Sequence, residues 1–251
     1  MTIRVKYSGV TYQFRINVKK RSANQSTEMK VFTMTLKKNT SSASSNNTVT
    51  ASPSSSSDQT KKTYEKPKRI NLASTATGSF RPEDIIMIGD SRFVGMSNSV
   101  PSAACTWICK ESMGLSWLEE TMETVIKRKD LKGKAIVFNL GVNDPGNASA
   151  YVTYMKSIGE KLRAKGAFTF FMTVNPIDDK KADEHHYQIF NEHVVRFNLT
   201  VAPQLQSNGY GILDTYDYLV DNGFATSDGI HYTGETYKAI FSYMNKCIGV
   251  K

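Results

Sequence analysis

The feature that most constrains the fold of this chain is a series of short apolar runs, separated by longer segments with helical periodicity. The runs predict strands near residues 85–90, 104–109, 135–140, 168–174 and 210–214. The helical patterns cover residues 115–129, 148–165, 184–203 and 233–247. Strands that alternate with helices indicate a parallel sheet with helices on both faces, and strands that are apolar throughout fit such a sheet. We therefore expect an α/β fold with a five-stranded parallel sheet between two helical layers.

Polar residues follow two of these runs at the point where each strand should end. A Gly-Asp-Ser tripeptide ending at Ser91 closes the first run, and a Gly-Val-Asn-Asp tetrapeptide containing Asn143 follows the third. In open parallel α/β sheets the active site lies beyond the carboxyl ends of the strands. We therefore expect Ser91 and Asn143 to lie at the same edge of the sheet.

A third polar motif, Asp-Gly-Ile-His, places Asp228 three residues before His231. A serine hydroxyl becomes an effective nucleophile when an adjacent base takes its proton and a third group holds that base in the right tautomer. Each motif alone is also a common turn sequence. Their occurrence together, in this order, favours catalysis at an ester carbonyl, with Ser91 as nucleophile, His231 as base and Asp228 as the group that orients it.

These motifs resemble the sequence blocks of the SGNH hydrolases, also called the GDSL esterase and lipase family. The resemblance covers most of the C-terminal two thirds of the chain. Ser91, Asn143 and His231 match three of the four residues that name the family, and Asp228 accompanies the histidine. Gly114, just before a helical pattern, is the best candidate for the fourth. The resemblance implies that the oxyanion is held by the backbone N–H groups of Ser91 and Gly114 and by the side-chain amide of Asn143.

The resemblance also implies a flavodoxin-like three-layer fold and a serine ester hydrolase that needs no cofactor and no metal. The implied substrates range from short acyl esters to lipids and acetylated sugars. One departure is Arg92, because the family often has leucine after the serine. An arginine at this position argues against the apolar acyl pocket of a lipase. It would instead pair with a polar or acidic substrate, or form a salt bridge. We expect a carbohydrate esterase that removes short acyl groups, acetyl in particular, from a small-molecule or glycan ester.

Other functions are compatible with the same residues. Transfer of the acyl group to an acceptor hydroxyl instead of water would make the protein an acyltransferase, and a lipid or lysophospholipid esterase of the same fold is a further alternative. A non-catalytic carbohydrate-binding surface module is the third, although the complete set of catalytic residue types argues against it.

Charge is unevenly divided along the 251 residues. The formal net charge is +9, but residues 1–82 hold 15 of the 32 Lys and Arg residues and only 3 of the 23 acidic ones. We divide the chain into a strand-rich segment at 1–38, a basic, disordered Ser/Thr-rich linker at 39–80 and a hydrolase domain at 81–251. The basic linker favours weak association with an anionic cell-wall polymer, or is a plain solvated connection. No motif indicates specific nucleic-acid recognition.

The first segment alternates apolar and polar residues on either side of residues 8–10, which predicts a β-hairpin. It resembles the closing hairpin of bacterial immunoglobulin-like repeats of surface proteins; the alternative is a small hairpin that packs on the hydrolase domain. We identify no signal peptide and no apolar run long enough to span a bilayer. We expect part of a longer extracellular or cell-surface protein, with a cytoplasmic protein as the alternative.

Neither the cysteines nor the remaining histidines indicate a metal site. The three cysteines are an odd number, so at least one thiol is unpaired within the chain, and their spacing fits no metal centre. His185, His186 and His193 lie in a polar segment without His-Glu-x-x-His spacing, which favours a solvated helix face.

Overall fold

The computed structural model describes residues 2–7, 10–15, 37–38 and 63–251, and the chain divides into two compact units, residues 1–60 and 61–251. In the first unit, β1 (Thr2–Tyr7) pairs antiparallel with β2 (Val10–Arg15), and β2 pairs antiparallel with β3 (Lys37–Lys38). Most of the predicted disordered linker, at residues 39–62, lies outside the described residues. The likeness of the hairpin to an immunoglobulin-like repeat stays a prediction.

The second unit is built on five parallel strands in the order β5-β4-β6-β7-β8. They are β4 (Ile85–Gly89), β5 (Thr106–Cys109), β6 (Ala135–Asn139), β7 (Phe168–Met172) and β8 (Gly211–Leu213). This confirms the predicted α/β fold, and the order is the flavodoxin-like one. The first strand of such a sheet has later strands on both sides, so the crevice for a ligand forms where β4 and β6 end.

Seven α-helices of the second unit connect and cover these strands. They are α1 (Ser91–Ser99), α2 (Leu115–Val125), α3 (Ala148–Ala164), α4 (Asp179–Glu184), α5 (Asn191–Ser207), α6 (Thr215–Asn222) and α7 (Gly234–Ile248). Among the helices of the described residues, none combines the length and the hydropathy that crossing a bilayer requires.

One predicted helix is wrong in its bounds. The helix predicted at 184–203 begins only at Asn191, because His186 has a left-handed backbone (φ 61°) and the N–H of Tyr187 bonds the carbonyl of Ala182, which ends α4 at Glu184. Residues 185–190 therefore form a loop between the two helices.

The sheet buries both of its faces, as continuously apolar strands require. On one face, Ile86, Ile88 and Phe138 belong to a core with residues of α2, α3 and α5. On the other, Met87 and Val137 belong to a core with residues of α1 and α7. All five side chains are at most 1% exposed, and burial of each such side chain contributes about 1.5–3 kcal/mol. The carboxyl ends of β4 and β6, which carry the polar motifs, are thus held in place by a closely packed core.

The C-terminal part of the predicted linker belongs to the domain, which corrects the boundary at residue 81. The N–H groups of Thr75 and Ala76 donate to the carbonyl of Ile212 at 2.8 and 3.0 Å, and Asp214 N–H donates to Ser74 Oγ at 2.9 Å. These bonds cover the free edge of β8. Composition did not reveal them because Ser and Thr residues of the kind found in flexible linkers make these contacts.

Candidate active site

Ser91 stands at the tight turn between β4 and α1. It is the first residue of α1, and the Asp90 side chain before it caps the helix by accepting a hydrogen bond from Arg92 N–H at 3.0 Å. A side chain at Gly89 would lie 2.7 Å from the carbonyl oxygen of Asn139 on the neighbouring strand, so the turn requires glycine there. Ser91 remains partly exposed, whereas Asp90 and Arg92 are buried.

The structure brings Ser91, His231 and Asp228 into one chain of hydrogen bonds. His231 Nε2 lies 2.9 Å from Ser91 Oγ, and His231 Nδ1 lies 2.7 Å from Asp228 Oδ2. The other carboxylate oxygen, Asp228 Oδ1, accepts the backbone N–H groups of Ile230 and His231 at 2.9 and 2.8 Å. The loop that carries the acid therefore folds around that carboxylate, which fixes the imidazole beside the hydroxyl.

Glycine at position 229 is required by this loop. Gly229 has φ 97°, and a Cβ there would lie 2.3 Å from the backbone nitrogen of Ala182 in α4. The Gly229 carbonyl also accepts a hydrogen bond from Asp178 N–H at 3.0 Å. The loop between Asp228 and His231 is thus held against α4.

The electrostatics of Asp228 keep it charged. Burial by itself would raise the pKa of Asp228, but hydrogen bonds from the His231 ring and from the backbone N–H groups of His231 and Ile230 hold that pKa well below its usual range. An ionised carboxylate only accepts hydrogen bonds, so it selects the tautomer with the proton on His231 Nδ1. The Nε2 lone pair then faces the Ser91 hydroxyl.

Two of the predicted oxyanion donors, Asn143 and Gly114, are neighbours. Asn143 Nδ2 donates to the carbonyl of Met113 at 2.9 Å, which places the amide beside Gly114. An amide nitrogen carries two hydrogens, so one remains for a ligand. Within the described residues, the backbone N–H groups of Ser91 and Gly114 donate to no protein acceptor. All three groups are thus free to donate, and their joint role as an oxyanion hole stays a prediction.

Asp144 holds the glycine segment in place, a role that the sequence did not reveal. Its Oδ2 accepts Leu115 N–H at 2.9 Å at the start of α2, and its Oδ1 accepts the Tyr151 hydroxyl at 2.8 Å. A Cβ on Gly114 would lie 2.6 Å from Asp144 Oδ2. Glycine is therefore the residue that allows this close approach.

Arg92 does not reach the substrate side of the site, so its predicted pairing with a polar substrate is wrong. The residue is 1% exposed. Its Nε donates to the carbonyl of Ile230 at 3.1 Å and its Nη1 to the carbonyl of Asn175 at 2.9 Å. The predicted alternative, a salt bridge, is also not found among the described residues. Arg92 lies on the face of α1 that packs against the core, and this position directs its side chain inward.

Tyr187 is a further residue of the site that sequence reasoning missed. Its hydroxyl donates to Asp228 Oδ2 at 3.1 Å from the loop between α4 and α5. Its neighbours His185 and His186 are exposed, and His193 Nδ1 accepts Phe190 N–H at the start of α5. No group of three metal-ligating side chains occurs in the part of the chain that the structure describes.

The pKa of Asp90 predicts a pH dependence of stability. Burial raises this pKa to about 6, against the opposing charge of Arg92. The unfolded carboxyl titrates near pH 3.9, so the folded state binds more protons, and stability falls as the pH rises from about 4 to about 6. In Asp90→Asn the amide oxygen still accepts the capping hydrogen bond, but this loss is absent. Between pH 4 and pH 7, the melting temperature of the variant should therefore fall less than that of the wild type; equal changes would contradict the assignment.

Removing the Asn143 amide should slow the chemical step. We expect Asn143→Ala to lower kcat by about 10²–10³, as loss of one oxyanion donor does, with a small effect on KM. Initial rates with a chromogenic acetyl ester measure this. Asn222→Ala is the matched control, since it removes another exposed amide, bonded to the carbonyl of Tyr218 at 2.8 Å in α6, and should keep wild-type kcat. Wild-type kcat in Asn143→Ala would exclude the amide from the oxyanion hole.

Known structures share this fold. No protein-family model and no curated sequence matches the chain. A GDSL-like lipase from Bacteroides thetaiotaomicron is 17% identical, with a TM-score of 0.55 over 65% of this chain and 87% of its own. A member of the lipolytic G-D-S-L family from Veillonella parvula is 13% identical, with a TM-score of 0.51 over 64% and 96%. An acetyl-xylooligosaccharide esterase from Geobacillus is 14% identical, with a TM-score of 0.51 over 69% and 96%. At these identities the similarity establishes the fold, which is that of the SGNH hydrolases.

Proposed function

We propose that this protein is a serine ester hydrolase that works through an acyl-enzyme on Ser91. The observation that carries the proposal is the continuous pair of hydrogen bonds from Ser91 Oγ through His231 to Asp228, at 2.9 and 2.7 Å. Such an arrangement turns a weak hydroxyl nucleophile into a reactive one. It lies at the carboxyl end of β4, beside the switch point where ligands bind in this class of sheet.

The reaction proceeds in two halves. His231 Nε2 takes the hydroxyl proton as Ser91 Oγ attacks the ester carbonyl, and the Asp228 carboxylate stabilises the resulting imidazolium. The oxyanion of the tetrahedral intermediate accepts hydrogen bonds from the N–H groups of Ser91 and Gly114 and from Asn143. His231 then returns the proton to the departing alcohol. Water, deprotonated by the same imidazole, attacks the acyl-enzyme and releases the acid with regeneration of Ser91.

We propose short acyl groups on a carbohydrate as the substrate. The His231 side chain is 35% exposed and Asn143 is exposed, so the reacting groups are open to a bulky alcohol portion. A cavity of about 620 Å³ lies elsewhere: Phe168 and Gly211 line it at the amino ends of β7 and β8. This cavity is at the opposite edge of the sheet from Ser91 and does not serve its acyl chain. The acetyl-xylooligosaccharide esterase among the similar structures acts on a substrate of the proposed class.

A panel of esters tests both the activity and the acyl preference. Hydrolysis rates of p-nitrophenyl acetate, butyrate and octanoate should decrease with chain length, and acetylated xylo-oligosaccharides should release acetate. A preference for octanoate or for lysophospholipid would replace the carbohydrate proposal by a lipid esterase. Acetylated products formed with an added sugar acceptor would identify an acyltransferase. Glycan binding without turnover of any ester would identify a binding module.

A further inference from the structure

The buried arginine next to the nucleophile connects the two halves of the site. Arg92 follows Ser91 in α1, and its guanidinium bonds the carbonyl of Ile230, the residue before His231. The N–H of Ile230 is held in turn by Asp228 Oδ1 at 2.9 Å. The peptides on either side of Ile230 are therefore fixed by the triad acid and by the arginine. Together with the bond between Ser91 and His231, these contacts form a closed ring.

A second contact of Arg92 extends this ring to the loop after β7. Its Nη1 bonds the carbonyl of Asn175, and its guanidinium lies 5.3 Å above the ring of Tyr232. The Tyr232 hydroxyl donates to the carbonyl of Pro176, the residue after Asn175. The guanidinium thus lies over the ring of Tyr232, the residue after His231, and donates a hydrogen bond to the carbonyl of Ile230, the residue before it.

Burying the charged Arg92 side chain lowers the free energy of unfolding unless its contacts offset the lost hydration. A buried cation loses its hydration, and an apolar side chain of similar volume often stabilises a core equally well. Arg92 Nη2 and Asp90 Oδ2 are both buried without a hydrogen-bond partner, so the desolvation is not fully offset. What an apolar side chain could not supply is two directed N–H donors to two different loops.

We propose that Arg92 is a positioning residue that holds the His231 loop in register with Ser91. The inference rests on the proposed esterase function. The guanidinium touches neither the reacting hydroxyl nor the imidazole. Its effect passes through the Ile230 carbonyl, so loss of Arg92 should leave His231 and Asp228 present but misplaced.

The test compares Arg92→Met and Arg92→Lys with a matched control, Arg163→Met. Arg163 also lies over a tyrosine ring, 5.4 Å from the centroid of Tyr210, and bonds Thr169 and Asn208. Thr169 is near the amino end of β7, so the control removes a similar arginine from the opposite edge of the sheet. The readouts are kcat and KM for p-nitrophenyl acetate, the thermal midpoint, and the low-field proton NMR signal of the hydrogen bond between His231 and Asp228.

We expect Arg92→Met to lower kcat by about 10²-fold, the effect of a misplacement of roughly 1 Å, with KM changed little. Its low-field proton signal should shift or broaden. Arg92→Lys keeps the charge but offers no planar fork, so it should recover part of the lost kcat. Arg163→Met should keep the wild-type kcat and low-field signal even if its thermal midpoint falls.

Wild-type kcat and an unchanged low-field signal in Arg92→Met would overturn the inference. Equal losses of kcat in Arg92→Met and Arg163→Met would also overturn it, because they would indicate general destabilisation. If Arg92→Met does not fold, Arg92→Lys decides: a reduced kcat with a shifted low-field signal supports the inference, and wild-type values of both refute it. An inactive wild type would refute the proposed function instead, whereas the NMR signal would still report whether Arg92 positions His231.

Discussion

Replacing Ser91 with alanine is expected to lower kcat by about 10⁶-fold, to the level left by binding and oxyanion stabilisation alone. The reason is that no other hydroxyl lies within hydrogen-bonding distance of the His231 ring in the described residues. Hydrolysis of p-nitrophenyl acetate measures the effect, with the uncatalysed rate subtracted. The overall fold should be unaffected, since the side chain is small and partly exposed.

Ser99→Ala is the matched control for this variant. Ser99 lies at the other end of α1, and its hydroxyl bonds the carbonyl of Gly95 at 2.8 Å. The same substitution on the same helix should leave kcat within a factor of two of wild type, on the order of the effect of a remote surface change. If Ser91→Ala kept activity similar to that of Ser99→Ala, the nucleophile would have to be another residue.

The second large effect is expected from Asp228→Asn, which should lower kcat by about 10⁴-fold. The amide preserves the shape of the carboxylate but can donate a hydrogen bond to His231 Nδ1. The imidazole would then carry its proton on Nε2 and could not accept the proton of Ser91. The Tyr187 hydroxyl and two backbone N–H groups that now point at the carboxylate would also lose a charged acceptor.

The pH–rate profile and a surface control separate this tautomer effect from a loss of structure. Asp130→Asn changes an acid that pairs with Arg128 at 2.7 Å on the surface, and it should keep wild-type kcat. In Asp228→Asn, part of the activity should return at high pH, where hydroxide can take the Ser91 proton for acylation and attack the acyl-enzyme directly, so that neither step needs the imidazole as base. Unchanged kcat at neutral pH in Asp228→Asn would show that the acid does not orient the base.

The sheet could be predicted from sequence because its strands are buried on both faces. A short, continuously apolar run such as 135–140 is typical of a strand that is buried on both faces. Every predicted strand is present within a few residues of its expected bounds. Helices α1, α4 and α6 were not predicted: α1 begins inside the motif that signals a turn, and α4 and α6 have only six and eight residues. The break between α4 and α5 depends on the backbone of His186, which a periodic pattern does not report.

The candidate residues Ser91, His231 and Asp228 could be selected from the sequence because ester chemistry demands particular residue types in a particular motif order, and the structure joins them by hydrogen bonds. The residues that support them could not be selected in this way. The inward direction of Arg92 follows from the phase of a helix that was not predicted, and the contact of Tyr187 with Asp228 joins residues 41 positions apart. Asp144 was part of the predicted Gly-Val-Asn-Asp motif without a role of its own, yet its carboxylate holds the Gly114 segment through Leu115 N–H. These roles depend on tertiary contacts that leave no local signal.

Covalent labelling is the most direct test of the proposed enzyme. After incubation of the wild-type protein with a fluorophosphonate, intact-mass spectrometry should find one added phosphonyl group, and peptide mapping should place it on the Ser91 oxygen. The label should be absent from Ser91→Ala and present in Ser99→Ala. Wild-type protein that hydrolyses esters while remaining unlabelled, or that carries the label at a different residue, would contradict the assignment of Ser91 as the nucleophile.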